Sequence, residues 1–234
     1  MLRLPSRSDS IEEFVSRMTQ SATVHALEAG RSPARLLALT YESLVYQSRF
    51  AASLERSGSV ACGEGCVWCC YLMVHVTAPE ALLIATYIRE TVSTAQADLL
   101  RRHLAQAARR ARRHGTAGYD RARIPCGLLV KNRCAVYPVR PINCRACVSP
   151  DRALCKDEFD QRSQRSVTPT SKEHRSYAAG LKAGLLKGLL AVGINTEKAS
   201  MLELNNAVTI ALEAENATER WLAGALSFDS AYGL

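Results

Sequence analysis

Aromatic residues are scarce in this chain, at 6%, and no apolar stretch is long enough to cross a bilayer. The longest near the C-terminal end, Leu181 to Ile194, is interrupted by Lys182 and Lys187, so no membrane span and no membrane partner are expected. Residues 1–10 carry Arg3 and Arg7 but no apolar core run, so no secretory leader is expected either. There is no glycine-rich phosphate loop followed by Lys-Ser/Thr, which argues against nucleotide hydrolysis of that type. His25, His75, His103, His114 and His174 are scattered and form no conventional catalytic set. No internal repeat or low-complexity tract is visible.

What the chain does have is cysteine. Nine in 234 residues is a high count and an odd one. With no leader, a cytoplasmic location is expected, where thiols stay reduced. Clustered cysteines then read as metal ligands or redox groups before structural disulfides. Four of them lie within Cys62 to Cys70, which reads C-G-E-G-C-V-W-C-C. A second group, Cys126, Cys134, Cys144 and Cys147, reads C-x7-C-x9-C-x2-C. The two-residue gaps Cys66–Cys69 and Cys144–Cys147 let both sulfurs of a pair turn toward one ion. Gly63 and Gly65 permit the sharp path that brings Cys62 round. Adjacent Cys69 and Cys70 point different ways in most backbones. Either two ions share this loop, or Cys70 packs, joins a cluster or exchanges electrons. Cys155 lies outside both groups and reads as a spare thiol.

All-thiolate donors suit zinc, iron or an iron–sulfur cluster and disfavour calcium and magnesium. His75 is a further ligand candidate, with an exposed strand position as the plainer alternative. Glu64 sits inside the loop, where a solvated carboxylate is the plainer reading. Arg140 and Arg145 flank Cys144. Either they steady thiolate charge or hold an anion, or Arg140 only braces the turn before Pro141.

These residues resemble the CxxCxxCC, or YkgJ-like, cysteine-cluster family of zinc- or iron-chelating proteins. The resemblance rests on Cys62, Cys66, Cys69 and Cys70, then Pro125-Cys126, Cys134, Tyr137, Arg140-Pro141, Cys144 and Arg145, over about residues 60–147. The first gap, three residues, is one longer than the family label, and Cys147 is the loosest match. The resemblance implies chelation and leaves the reaction open. Cys62-x3-Cys66-x2-Cys69 also has the spacing of the radical S-adenosylmethionine signature, and some flagellin lysine methylases look similar here. Redox chemistry or cluster-dependent methyl transfer is therefore an alternative. The repeated strand–helix units of a radical enzyme are not apparent.

The expected fold is mainly α, with an irregular cysteine-rich metal-binding centre and at most a few short strands. A capping box at Ser10–Glu13 starts a helix to about Gly30. Ser32-Pro33 starts a second, to Ser57, with Leu36, Leu37, Leu44 and Phe50 on one face. Short extended pieces are expected near 71–76, 128–130 and 135–137. Thr77–Glu80 is a capping box for a third helix, and Ser93–Gln96 opens a fourth that stops at Gly115. Residues 156–170 read as a linker. Thr170–Glu173 caps a helix to about Val192, whose Gly180, Gly184 and Gly188 suggest a close helix neighbour. A last helix is expected from Asn195 or Thr196, with a break at Asn216. Segments 1–58, 59–155 and 156–234 form N-terminal helices, a cysteine domain and C-terminal helices, or else one compact unit.

The formal net charge is +8. Six arginines lie between Arg101 and Arg113 with no acidic residue among them. A nucleic-acid-associated protein with structural zinc is thus the third functional reading. A solvated helix face is its plain counterpart, and no aromatics are interleaved for base stacking.

Overall fold

The computed structural model describes residues 10–55, 60–63, 65–161, 171–196 and 198–233. It is mainly helical. In chain order the helices are α1 (Ile11–Glu28), α2 (Pro33–Glu55), α3 (Ala78–Thr91), α4 (Thr94–Tyr119), α5 (Ile142–Ala146), α6 (Arg152–Gln161), α7 (Lys172–Ala191), α8 (Leu204–Glu213) and α9 (Ala217–Leu222). The strands are β1 (His75–Val76), β2 (Leu129–Val130), β3 (Arg133–Cys134) and β4 (Leu202–Glu203). They make two antiparallel ribbons, β1 with β4 and β2 with β3. None of the described helices is long and apolar enough to cross a membrane.

Most helix starts lie where the capping residues put them. Ser10 and Glu13 form a reciprocal capping box at α1, and Thr77 and Glu80 form one at α3. Ser93 caps α4 through the amide of Gln96. α3 is central, with every residue from Ala78 to Ala85 buried, and Leu82, Ile84 and Ile88 at most 1% exposed. Each such side chain contributes about 1.5–3 kcal/mol by leaving water. The same apolar core takes Leu36 and Leu44 from α2, Leu181, Leu185 and Leu189 from α7, and Val208 and Ala211 from α8. It thus draws on all three sequence segments.

The α1–α7 seam shows what the glycine spacing is for. A Cβ on Gly184 would stand 2.4 Å from the Ser16 carbonyl oxygen, and one on Gly180 would stand 2.7 Å from that of Glu12. One on Gly188 would meet Thr23 at 2.5 Å. Only hydrogen at these positions lets the two backbones approach so closely.

Several sequence expectations are corrected. The helical backbone of α4 is interrupted at Gly115 (φ 59°), but a further turn carries it to Tyr119. The strand partner of Leu129–Val130 is Arg133–Cys134, because Lys131 and Asn132 both take positive φ and close a tight hairpin early. Tyr137 lies in a 3-10 turn instead. Residues 156–161, expected as linker, are the body of α6, capped by the Asp151 carboxylate. Ser171 caps α7. The last long helix starts at Leu204, because the buried Glu203 carboxylate accepts the amides of Asn205 and Asn206. The break at Asn216 occurs, yet through left-handed backbone (φ 47°) without a side-chain cap. Ser57, Gly58, Glu64 and Thr170 lie outside the described residues.

Candidate metal centre

The two cysteine groups meet. Cys69 and Cys70 share one 3-10 turn, Trp68–Tyr71, which follows a bend at Gly65 (φ 79°). The Cys126 amide donates to the Cys70 carbonyl at 2.8 Å. That bond ties the start of the β2–β3 hairpin to the first cysteine loop. A second junction lies 80-odd residues apart in sequence. The Ala61 amide donates to the Ser149 carbonyl at 2.8 Å, and the Ser149 amide donates to Cys62 Sγ at 3.3 Å.

Each element presents its thiol for a local reason. Cys134 stands on β3 opposite Leu129, just after the hairpin turn. Cys144 is in α5 and Cys147 is its C-cap, one turn on. α5 is itself held by Glu80. One carboxylate oxygen closes the α3 capping box on Thr77, and the other accepts the Ile142 amide at 2.8 Å. Asn143 donates to the His75 carbonyl at 2.6 Å and accepts from Lys182 Nζ at 2.8 Å. Gly127 seats the hairpin. Its amide donates to Asn205 Oδ1 at 2.8 Å, and a Cβ there would lie 2.6 Å from Leu104 Cα.

The sulfurs sort into two layers around Cys69. The thiols of Cys70 and Cys147 hydrogen-bond to Cys69, which lowers the pKa of Cys69 well below the usual thiol value. The same hydrogen bonds, together with burial, push the pKa of Cys70 and Cys147 up. On the inner side, Cys70 lies in the field of Cys126 and Cys144, and Cys144 in that of Cys126 and Cys134. Burial pushes Cys126 up to about 12, and raises Cys134 and Cys144 as well. On the outer side, a cleft with about 20 Å³ of free volume, room for one water, is lined by Cys62, Cys66, Cys69, Cys147, Cys155 and Glu158.

The turn before Pro141 is braced by Arg145 rather than by Arg140. Buried Arg145 donates to the Pro138 carbonyl (2.6 Å), the Arg140 carbonyl (2.9 Å) and the Ser48 hydroxyl, so it staples the turn to α2. The Arg140 guanidinium stacks over Tyr137 at 4.2 Å; its charge opposes the burial that raises Cys62, Cys134 and Cys144, and adds to the hydrogen bonds that lower Cys69. Its Nε is buried without a hydrogen-bond partner.

His75 is on β1 opposite Glu203, half-buried rather than exposed, and burial lowers its pKa. Glu203 and Lys182 are the charged groups that act on it. Cys155, read from sequence as a spare, faces the outer cleft with Glu158. The one sequence signal for it is its seven-residue gap from Cys147, the same gap as Cys126–Cys134.

Among the described residues, no three His, Cys, Asp or Glu side chains are arranged as ligands of one ion. The thiols are neighbours, and side-chain rotation is what ligation would require. Their chemistry fits a soft cation, with soft sulfur donors and one cationic guanidinium offsetting thiolate charge. No family model, curated protein or solved structure matches this chain.

Proposed function

We propose that this is a metal-binding protein that chelates zinc or iron through its clustered cysteines. The donor set is Cys62, Cys66, Cys69 and Cys70 from the first loop with Cys126, Cys134, Cys144 and Cys147 from the second. The observation that carries the reading is the meeting of these two groups around Cys69. The cleft and the hairpin anchored on Cys70 place soft donors from distant parts of the chain within one neighbourhood. Four thiolates around a divalent ion leave surplus negative charge, which the Arg140 guanidinium offsets. The bound ion supplies folding energy in a closed site, or an iron–sulfur cluster adds electron transfer. The two short ribbons among the described residues do not support a radical S-adenosylmethionine barrel, so methyl transfer is the weaker enzymatic alternative.

The test is elemental analysis of protein purified without oxygen, counting metal and acid-labile sulfide per chain. Zinc or iron without sulfide supports direct chelation. Iron with sulfide, and absorption near 400 nm, supports the cluster form. Protein without metal after anaerobic purification and reconstitution ends the reading.

A second reading is a basic nucleic-acid-associated protein. Arg101 pairs with Asp98, Arg110 donates to the Ala122 carbonyl, and Arg112 donates to Asn206. Arg102, Arg109 and Arg113 are exposed. Seven and four residues apart, they fall on one line of α4 and present a cationic stripe suited to phosphates.

A further inference from the structure

The outer cleft contains donors that neither cysteine group accounts for. Cys155 and Glu158 are three residues apart on α6, so they share one face of that helix. That face is turned to Cys62, Cys66 and Cys147 across the cleft. α6 is not loosely placed. Phe159 packs edge-on against Tyr71 with centroids 5.0 Å apart, and Arg123 lies 4.8 Å above the Phe159 ring. Arg123 also donates to the Asp160 carbonyl at 3.0 Å, and Arg152 lies 5.6 Å from the centre of the Trp68 ring. These contacts fix α6 on the 3-10 turn that carries Cys69 and Cys70. The Asp151 carboxylate, capping α6, starts the helix two residues after Ser149, whose amide holds Cys62 Sγ.

The two layers differ in their donors. The cleft is lined by the exposed Cys62 and by the Glu158 carboxylate beside its thiols. Cys70, Cys126, Cys134 and Cys144 lie outside the cleft lining and are partly exposed, like Cys66, Cys147 and Cys155. A cation held by those four would have thiolate ligands only. One held by the outer residues would have a carboxylate among its ligands, which a soft ion leaves more readily.

We propose that the outer cleft is a second cation site, separate from the inner thiols, in which α6 contributes the Cys155 thiolate and the Glu158 carboxylate alongside Cys62, Cys66 and Cys147. The donors select a soft or borderline divalent ion of the zinc class, which accepts sulfur and carboxylate oxygen together. Hard ions such as calcium and magnesium find too few oxygens there. Ligand formation releases the thiol protons to solvent, and no electron is transferred. The site is the exchangeable one, where an ion enters or leaves, while the inner site retains its ion. This inference rests on the metal-chelation reading.

The test uses the full chain, reduced and stripped of metal, titrated with Co²⁺ while the thiolate-to-cobalt charge-transfer band is followed. Wild type, Cys155→Ser and Glu158→Gln are compared, with circular dichroism to confirm the fold. Each loaded protein is then challenged with a chelator. Wild type takes up about two ions per chain, and releases one fast and one slowly. Cys155→Ser loses the fast ion and keeps the slow one, with a weaker thiolate band. Glu158→Gln, which removes a carboxylate ligand, weakens the fast ion by at least about tenfold and leaves the slow one unchanged. If both variants match wild type in stoichiometry and release, α6 contributes no ligand and the proposal is overturned. Wild type that binds no cobalt overturns the chelation reading as well. Wild type that binds one ion, unaffected by either substitution, overturns only the outer site.

Discussion

The amide of Cys126 donates to the carbonyl of Cys70 across 2.8 Å, joining residues 56 positions apart in the chain. This bond does more than close a loop. It fixes the β2–β3 hairpin, and with it Cys134, under the turn that carries Cys69. The next residue, Gly127, shows how tightly that placement is constrained, since it packs against the backbone of α4.

Gly127→Ala should therefore displace the hairpin. The added methyl would stand 2.6 Å from Leu104 Cα and 2.7 Å from its amide nitrogen, both backbone atoms that cannot swing aside. Overpacking of this kind costs about 1–3 kcal/mol. Thermal unfolding should fall accordingly, and metal content should fall with it. Unchanged metal per chain in a destabilised variant would show that the hairpin does not position the thiols.

Arg140 and Arg145 should separate in their effects. Arg145→Met removes the hydrogen bonds of a buried guanidinium to the Pro138 and Arg140 carbonyls and to Ser48, worth about 0.5–1.5 kcal/mol each. It should lower stability measured by denaturant unfolding. Arg140→Gln removes charge beside Cys62, Cys69, Cys134 and Cys144 while its stacking partner Tyr137 is itself exposed. It should leave stability nearly unchanged and weaken retention of bound metal under chelator challenge by about tenfold. Equal loss of metal and stability in both variants would refute this division.

Gly184→Ala should destabilise the protein despite the better helix propensity of alanine. The gain is about 1 kcal/mol. A methyl 2.4 Å from the Ser16 carbonyl forces α1 and α7 apart, and overpacking costs about 1–3 kcal/mol. A lowered melting temperature with little loss of helical signal is the expected result.

His75 should make stability fall on mild acidification. Burial pushes its pKa below the ordinary 6.5, against the opposing pull of Glu203. The fold therefore favours the neutral ring. As pH falls, the unfolded chain takes up the proton first. Stability is unaffected above 6.5, declines as pH drops below it, and levels off once the folded pKa is passed. His75→Gln should remove this part of the decline, seen as a smaller difference in unfolding free energy between about pH 7.5 and about pH 5.5. A ring proton titrating at or above 6.5 by NMR would contradict the assignment.

The arginine stripe of α4 offers a separate check. If Arg102, Arg109 and Arg113 grip phosphates, their joint replacement by Gln should weaken nucleic-acid retention uniformly across sequences. The slope of log affinity against log salt should fall by roughly 0.7–0.9 per arginine. No salt-dependent retention by the wild-type chain would remove that reading.

Short-range chemistry made much of this protein legible from its residues. Capping boxes at Ser10 and Thr77 act over three residues, and the Gly180-Gly184-Gly188 repeat follows one helix face, so both could be read locally. So could the two-residue thiol gaps, Cys66–Cys69 and Cys144–Cys147. Where local signals competed, tertiary packing decided. The stretch 156–161 looked too polar for structure, yet it is helical because Phe159 finds Tyr71 and Asp151 caps it. Asn195 and Thr196 offered a cap, but the buried Glu203 carboxylate starts the helix instead. Convergence of the two cysteine groups is what the sequence leads one to expect, but which sulfurs stand beside which is not legible in the chain. That arrangement depends on Glu80 and Gly127 reaching partners some 60 to 80 residues away, and on α6 docking so that Cys155 faces the cleft. Spacing states which thiols are near in sequence, but only the packed helices bring distant ones together, because each loop's path is set by the elements it rests on.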